Sequence, residues 1–517
     1  MNPSPREPAP GPDENEQKNF ACVPLDVFVE IAQRVDALDV LSLRRTCKAL
    51  SEFTFAKILW LALARDILLR RPLPVPTNIP LTDIPTPTLE HAVLRAHLVE
   101  RSWVPSPSQP FPSLTSSRPN SSSPAPLARP ARVIDLPSDS YGERVEEERF
   151  WFDRTILHVS VLPGGHYALL LTRAGLLACW DLSTGRCVAR YQCPEGSPSR
   201  LLFEWRLLPS ADGKSVTIAM LLTEDIPVLH PRRHKLCIID LRLPNNTSPG
   251  FSLRCAPVIT SQYVDSFFID EQITGAVGFE EKYELHLLSS ATGDLVVWEG
   301  PGSGDIPLAE SVSAVVTPLH LVLYSQNEGR KEIRWYLKED LITPPKSSLI
   351  PRLPPPQMRV VVEWSEPHYE LQPLWGSPLD RPSTMFSMAS DTGSRIKAML
   401  FELSRSPIPF PHTLEPLLSR RSRVASGRQN VWGLDISGKH MVFAVQDHDN
   451  DVQFPVYVVT YPSYHEARAG QRTALMRRLE LPRNLPIGSL SNLAIDETTG
   501  VIVAVTFSGE LWVLEYA

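Results

Sequence analysis

Four short stretches of the chain hold residue types at spacings that could do chemistry. Asp212-Gly213-Lys214-Ser215 copies the end of a phosphate-binding loop, in which backbone N–H groups and a lysine cradle an anion. The glycine such a loop needs five positions before Gly213 is Leu208, so Asp-Gly reads instead as a hairpin turn between two apolar runs. His465-Glu466 opens like the helix of a zinc protease, but the second histidine is missing, because position 469 is Ala. Asp447, Asp449 and Asp451 have the spacing of a calcium loop. Its glycine and its bidentate glutamate are replaced by Val452 and Val458, leaving an acidic hairpin tip. The fourth stretch is the basic run of Arg420, Arg421, Arg423 and Arg428, which could grip an acidic or phosphorylated partner through charge-assisted hydrogen bonds. Its plainer reading is a solvated loop.

There is no GxSxG nucleophile elbow and no dinucleotide fingerprint. The cysteines at 22, 47, 179, 187, 193, 237 and 255 are odd in number, contain no CxxC, and mostly sit in apolar strand-like runs. That pattern implies a reducing compartment, with no disulfide framework and no zinc site. No catalytic residue, metal or cofactor is expected.

The elements that carry these stretches are short. The chain has 517 residues, 43% hydrophobic and 21% charged, with 51 prolines against 25 glycines. So much proline favours turns and extended connections over long helices. A formal net charge of -7 gives no reason to expect nucleic-acid binding. The polar, proline-rich start has no apolar core of a signal peptide, and "ILWLALARDILL" is interrupted by Arg65 and Asp66. A soluble protein of the cytoplasm or nucleus, without a membrane partner, is therefore expected.

Composition divides the chain into four parts. Residues 1–20 lack the apolar content to fold. Residues 21–103 read as helices, with Thr88 as a cap for the last of them. Residues 104–130 are a Pro/Ser-rich linker. Residues 131–517 read as short strands. The clearest unit there runs from Ile156 to Tyr191: four strands joined by three tight turns, the third strand ending in Trp180-Asp181. Its third strand recurs as "KLCIIDL", "YELHLLSS", "EIRWYL", "RIKAMLFEL", "VYVVTY" and "ELWVLEY", each preceded by a second-strand partner. About seven such units, roughly 50 to 60 residues apart, resemble a degenerate WD-repeat-like β-propeller. The last unit lacks an outermost strand, which residues 131–137 can supply.

The helical part carries more apolar surface than one core needs. On a helical wheel for residues 25–35, Asp26, Glu30, Gln33 and Arg34 share one arc, and apolar side chains fill the remaining ~200°, where a single core needs ~100°. Asp39 is the expected cap of the next helix, which turns Arg44, Arg45 and Lys48 to solvent. Phe53, Phe55, Leu59 and Trp60 add to the excess. Either this surface meets another protein or it packs on the β part. A linker of about 27 residues argues mildly against tight docking.

Val23-Pro24, then Asp26, Ile31, Val35, Val40-Leu41, Cys47-Lys48 and Leu59-Trp60 resemble an F-box motif in order and spacing over about 40 residues. The opening leucine is Val23 here, and a frequent tryptophan is replaced by Leu50. The whole, an all-α F-box head, a Pro-rich linker and an all-β, seven-bladed propeller, is similar to a large group of fungal F-box proteins. The resemblance implies a non-catalytic substrate receptor of a Skp–cullin–F-box ubiquitin ligase. Its head would bind a Skp-type adaptor, and through it a cullin, by Val23, Pro24, Leu25, Phe28, Ile31, Val35, Leu38, Leu41, Cys47 and Trp60. The propeller would hold a protein substrate. A ligase-independent scaffold and a propeller enzyme are the alternatives.

Overall fold

The computed structural model describes residues 23–68, 73–75, 79–103, 125, 127–136, 156–172, 175–193, 201–210, 212–224, 233–244, 249–259, 263–279, 283–289, 293–300, 311–316, 319–327, 330–342, 351–363, 372–374, 383–389, 396–402, 412–414, 430–434, 440–445, 456–460 and 475–517.

The head is built from α1 (Leu25–Ala32), α2 (Ala37–Leu43), α3 (Lys48–Thr54), α4 (Lys57–Leu68) and the longer α5 (Thr86–Trp103). Pro24 precedes α1, and its carbonyl accepts the first helical bond from Phe28 N–H. Helix α2 is capped by Asp36, whose carboxylate accepts Leu38 N–H at 2.8 Å. The expected cap, Asp39, lies instead in the first turn, where its charge still favours the helix N-terminus. Likewise α5 starts at Thr86 rather than after Thr88, with Pro87 in its first turn, where a missing N–H costs nothing. Phe28, Ala32, Val40, Leu59, Trp60, Leu89 and Val93 form the core of the head. Trp60 also donates its indole N–H to Thr54 O at 2.8 Å, so the ring's polar atom is satisfied inside.

Among the described residues seven antiparallel sheets follow, and each predicted third strand is the third strand of its sheet. The first holds β2 (Ile156–Val161), β3 (Tyr167–Thr172), β4 (Leu176–Asp181) and β5 (Arg186–Gln192). The second holds β6 (Leu201–Pro209), β7 (Ser215–Glu224) and β8 (Arg233–Arg242), with β9 (Gly250–Cys255) and β10 (Val258–Ile259) sharing the edge of β8. The third is β11 (Tyr263–Ile269), β12 (Ile273–Phe279), β13 (Tyr283–Ser289) and β14 (Leu295–Glu299). The fourth is β15 (Ser311–Val316), β16 (His320–Asn327), β17 (Arg330–Leu337) and β18 (Met358–Glu363). The fifth is β19 (Gln372–Leu374), β20 (Ser383–Ala389), β21 (Ile396–Glu402) and β22 (His412–Leu414). The sixth is β23 (Asn430–Leu434), β24 (His440–Val445), β25 (Val456–Thr460) and β26 (Leu475–Arg478). The seventh is β27 (Leu490–Asp496), β28 (Val501–Thr506) and β29 (Glu510–Glu515), completed by β1 (Arg132–Asp135).

That last pairing joins the two ends of the β region. β1 runs antiparallel to β29, with Arg132 opposite Val513 and Ile134 opposite Leu511, as the missing outermost strand required. Leading strands of successive sheets are tied side by side. Asn492 donates to Ile156 O at 2.8 Å, His158 stacks on Trp205, and Arg206 lies over Phe267. Val312 N–H and Ala314 N–H then donate to Asp265 and Ser266. The core accordingly sits between sheets, in clusters that join the seventh to the first, the first to the second, the second to the third and the third to the fourth. This succession of antiparallel sheets is the architecture of a β-propeller. Burial between neighbouring sheets, not one central core, carries its stability.

The Asp-Gly stretch is the turn between β6 and β7, with Gly213 at φ +67° and Asp212 accepting Ser210 Oγ at 2.6 Å. It is structural, as its spacing indicated. His465, and Asp447 with Asp449 and Asp451, lie outside the described residues.

Candidate functional site

The apolar excess of the head resolves into parts with different fates. On α1, Leu25, Phe28, Val29 and Ala32 occupy one arc of ~100° and face the core. Pro24, Val27 and Ile31 occupy the adjoining arc, between that face and the charged one. They follow one another in steps of three and four residues and so form a stripe, and Val35 adds an exposed apolar side chain in the turn after α1. Val27 is 45% and Val35 37% exposed, and Ile31 is half-buried. A second exposed apolar spot lies at the corner between α3 and α4, where Phe55 and Ile58 are 58% and 55% exposed.

The ten candidate contact residues therefore divide. Pro24, Ile31, Val35, Leu38 and Cys47 are accessible in whole or part. Val23, Leu25 and Leu41 pack one side on the core and leave the other open. Phe28 and Trp60 are fully buried, so they cannot touch a partner while the head stays folded; they hold the outward stripe in place. Val27, absent from the ten, is more exposed than Val35 and Ile31, and its position on the wheel beside Ile31 was the signal for it.

Arg44 was expected in solvent but is a half-buried clamp. Its guanidinium grips Glu90 of α5 through two bonds of 2.9 and 3.1 Å, donates to Thr54, and covers the Phe55 ring at 4.1 Å. Such a bidentate pair fixes α2, α3 and α5 relative to one another. Arg45 and Lys48 are exposed.

Other surplus is absorbed by the propeller. Val99 and Trp103, at the end of α5, sit in one buried cluster with Val442, Val458, Ile502 and Leu514. Arg95 donates to Thr499 O at 2.8 Å, and Arg477 donates to Ser102 O and Arg101 O at 2.6 and 3.0 Å. Trp103 packs edge-on against His440, itself paired with buried Glu497 at 2.6 Å. Of the two readings of the apolar surplus, packing on the β part thus holds for the end of α5, against the mild indication of the linker.

Among the described residues, no group of three or more His, Cys, Asp or Glu side chains could hold a metal ion. Asp265 faces the neighbouring sheet from a leading strand. Burial pushes its carboxyl up, and its bonds from Val312 N–H and Tyr283 occupy it structurally. Arg420, Arg421, Arg423 and Arg428 lie outside the described residues. Among the described residues, no helix is long and apolar enough to cross a membrane.

No family model and no curated protein matches the chain. Among solved structures it is similar to the β-propeller domain of Cps50 (Swd1) from Myceliophteria thermophila, with TM-score 0.43 and 11% identity, over 70% of this chain and 96% of that one. It is also similar to the WD40 domain of SCAP from fission yeast, with TM-score 0.37 and 8% identity, over 70% and 84%. The fold assignment rests on the sheet order described above: a small helical head on a β-propeller.

Proposed function

We propose that the chain is the substrate-recognition subunit of a Skp–cullin–F-box ubiquitin ligase. The head docks on a Skp-type adaptor, and a closed, seven-bladed, WD-repeat-like propeller holds the protein to be modified. The observation that carries this reading is the outward stripe of Pro24, Val27 and Ile31, with Val35 in the turn beyond it, set on a head whose residue order resembles an F-box. Burying one such aliphatic side chain is worth about 1.5–3 kcal/mol, so three or four together suffice to hold a partner. The chain itself does no chemistry: it raises the effective concentration of a substrate lysine near the charged conjugating enzyme. It acts without metal, cofactor, nucleic acid or membrane, in the cytoplasm or nucleus.

The test is co-purification of full-length chain with a Skp-type adaptor and a cullin. Recovery of both supports the ligase role. An adaptor without a cullin indicates a ligase-independent scaffold, and neither partner, with turnover of a small molecule, indicates an enzyme. Ile31→Asp should remove the adaptor while the propeller stays folded, because it places a carboxylate against an apolar partner surface.

A further inference from the structure

The third sheet carries an aromatic row that is open to solvent on one side. Tyr263 opens β11, Phe279 ends β12 and Tyr283 opens β13. Tyr263 lies opposite Phe279, and Phe279 opposite Tyr283, so the three side chains share one face at one end of the sheet. The Phe279 and Tyr283 rings stand 5.0 Å apart at 50°. Tyr263 is 51% exposed, and the other two are half-buried. A bulge in β11 between Val264 and Ser266 brings Asp265 beside the row, where it accepts the Tyr283 hydroxyl and, at 3.0 Å, Val312 N–H. Asp265 is exposed, although its carboxyl is partly desolvated. Its two donors are neutral and leave lone pairs of the carboxylate for another. Cations of the adjoining sheets are engaged elsewhere: Arg206 lies over Phe267, Lys338 pairs with Asp270, and Arg334 and Arg359 hold Glu332. Among the described residues Asp265 therefore has no cationic partner.

From this arrangement we propose that the row and Asp265 form a site for an arginine side chain presented by a partner protein. A guanidinium is planar, stacks on aromatic faces, forks onto a carboxylate and sheds water more readily than an ammonium. Tyr263 and Phe279 supply the stacking surface, Asp265 supplies the charge, and Tyr283 holds the carboxylate in place. A wholly apolar partner would cover Asp265 without compensating its charge, and an anionic one would be repelled by it. A primary ammonium would find one carboxylate for its three donors and otherwise only rings. The row lies where β11 begins, whereas α5 meets the seventh sheet in the turn after β27. Leading strands run the same way through a propeller, so the site opens on the face away from the head. It belongs to the propeller and does not rest on the ligase reading; absence of adaptor binding would leave it standing.

The experiment is ligand-observed saturation-transfer NMR on the full chain at physiological salt. The probes are Nα-acetyl-arginine methylamide and its lysine and citrulline counterparts; citrulline keeps the shape of arginine and lacks its charge. The site predicts arginine binding with a dissociation constant of roughly 1–10 mM, citrulline at least about tenfold weaker, and lysine between them. Tyr263→Ala and Asp265→Asn should each weaken arginine by about tenfold or more. Asp135→Asn, which removes an exposed carboxylate from the seventh sheet, should leave it unchanged. Citrulline or lysine bound as tightly as arginine, or no arginine signal at about 20 mM, would overturn the proposal. So would affinity unchanged in either site variant, or an equal loss in Asp135→Asn. Tyr263 is exposed, and asparagine in place of Asp265 can still accept Val312 N–H, so both variants should keep the wild-type thermal midpoint. Should Asp265→Asn lose its fold, Tyr263→Ala and the citrulline comparison still decide.

Discussion

Trp103→Ala separates a mounted head from a tethered one. Trp103 is fully buried at the end of α5, stands edge-on to His440 with ring centroids 5.0 Å apart, and shares a cluster with Val99, Val458 and Leu514. Truncating a buried tryptophan costs about 3–5 kcal/mol, from lost apolar burial together with the cavity left behind. The cavity would also bring water to the His440–Glu497 pair, whose imidazole adjoins the ring. The affected free energy is that of seating α5, so hydrogen exchange of peptides covering residues 86–103 is the assay. A loss of 3–5 kcal/mol predicts exchange faster by about 150- to 4,000-fold in the last two turns of α5. A residue at the start of a free linker would change stability by no more than about 0.5 kcal/mol. Exchange within threefold of the wild type would refute the buried junction.

Other outcomes follow from neighbouring residues. Burial pushes the Asp496 carboxyl up to about 6, against bonds from Thr499 and Thr498 that favour its charged form. A carboxyl raised on folding weakens the fold above its folded pKa and stops doing so as pH falls toward the unfolded value. Between pH 7 and pH 4 this group should thus return up to about 3 kcal/mol of stability. Asp496→Asn should flatten that part of the pH profile, read as the difference from wild type in urea unfolding; parallel profiles would contradict it. Gly500→Ala meets both a positive φ of +72° and Val99 at 2.9 Å, so it should cost about 1–3 kcal/mol and loosen α5. A thermal midpoint equal to wild type would count against the fitted seating.

The sequence carried the β region well, for a physical reason. Third strands such as "KLCIIDL" and "ELWVLEY" are buried on both faces, and a run of that kind between turn residues has few other solutions. The missing strand was legible too, because "ELWVLEY" reads as a third strand whose sheet still needs an outermost partner, and β1 supplies it. The head was half legible. The wheel of α1 showed an apolar excess, but separating the buried arc of Phe28 and Ala32 from the outward arc of Val27 and Ile31 needed the packing of α4 and α5. Arg44 was misjudged because its partner, Glu90, is distant in sequence and arrives only through the tertiary fold. The junction was missed for the same reason. Val99 and Trp103 sit in a helix with many charges, and no local pattern tells that its last turns meet β24, β26 and the turn after β27.

The claim that the head is a docking module is tested most directly by calorimetric titration of a purified Skp-type adaptor into the full chain and into its Val27→Asp/Ile31→Asp variant. The account predicts stoichiometric binding to the wild type. It also predicts at least hundredfold weaker binding to the variant, about 2.7 kcal/mol, with unfolding of the propeller unchanged. No binding to the wild type, or equal affinity for both proteins, would contradict it.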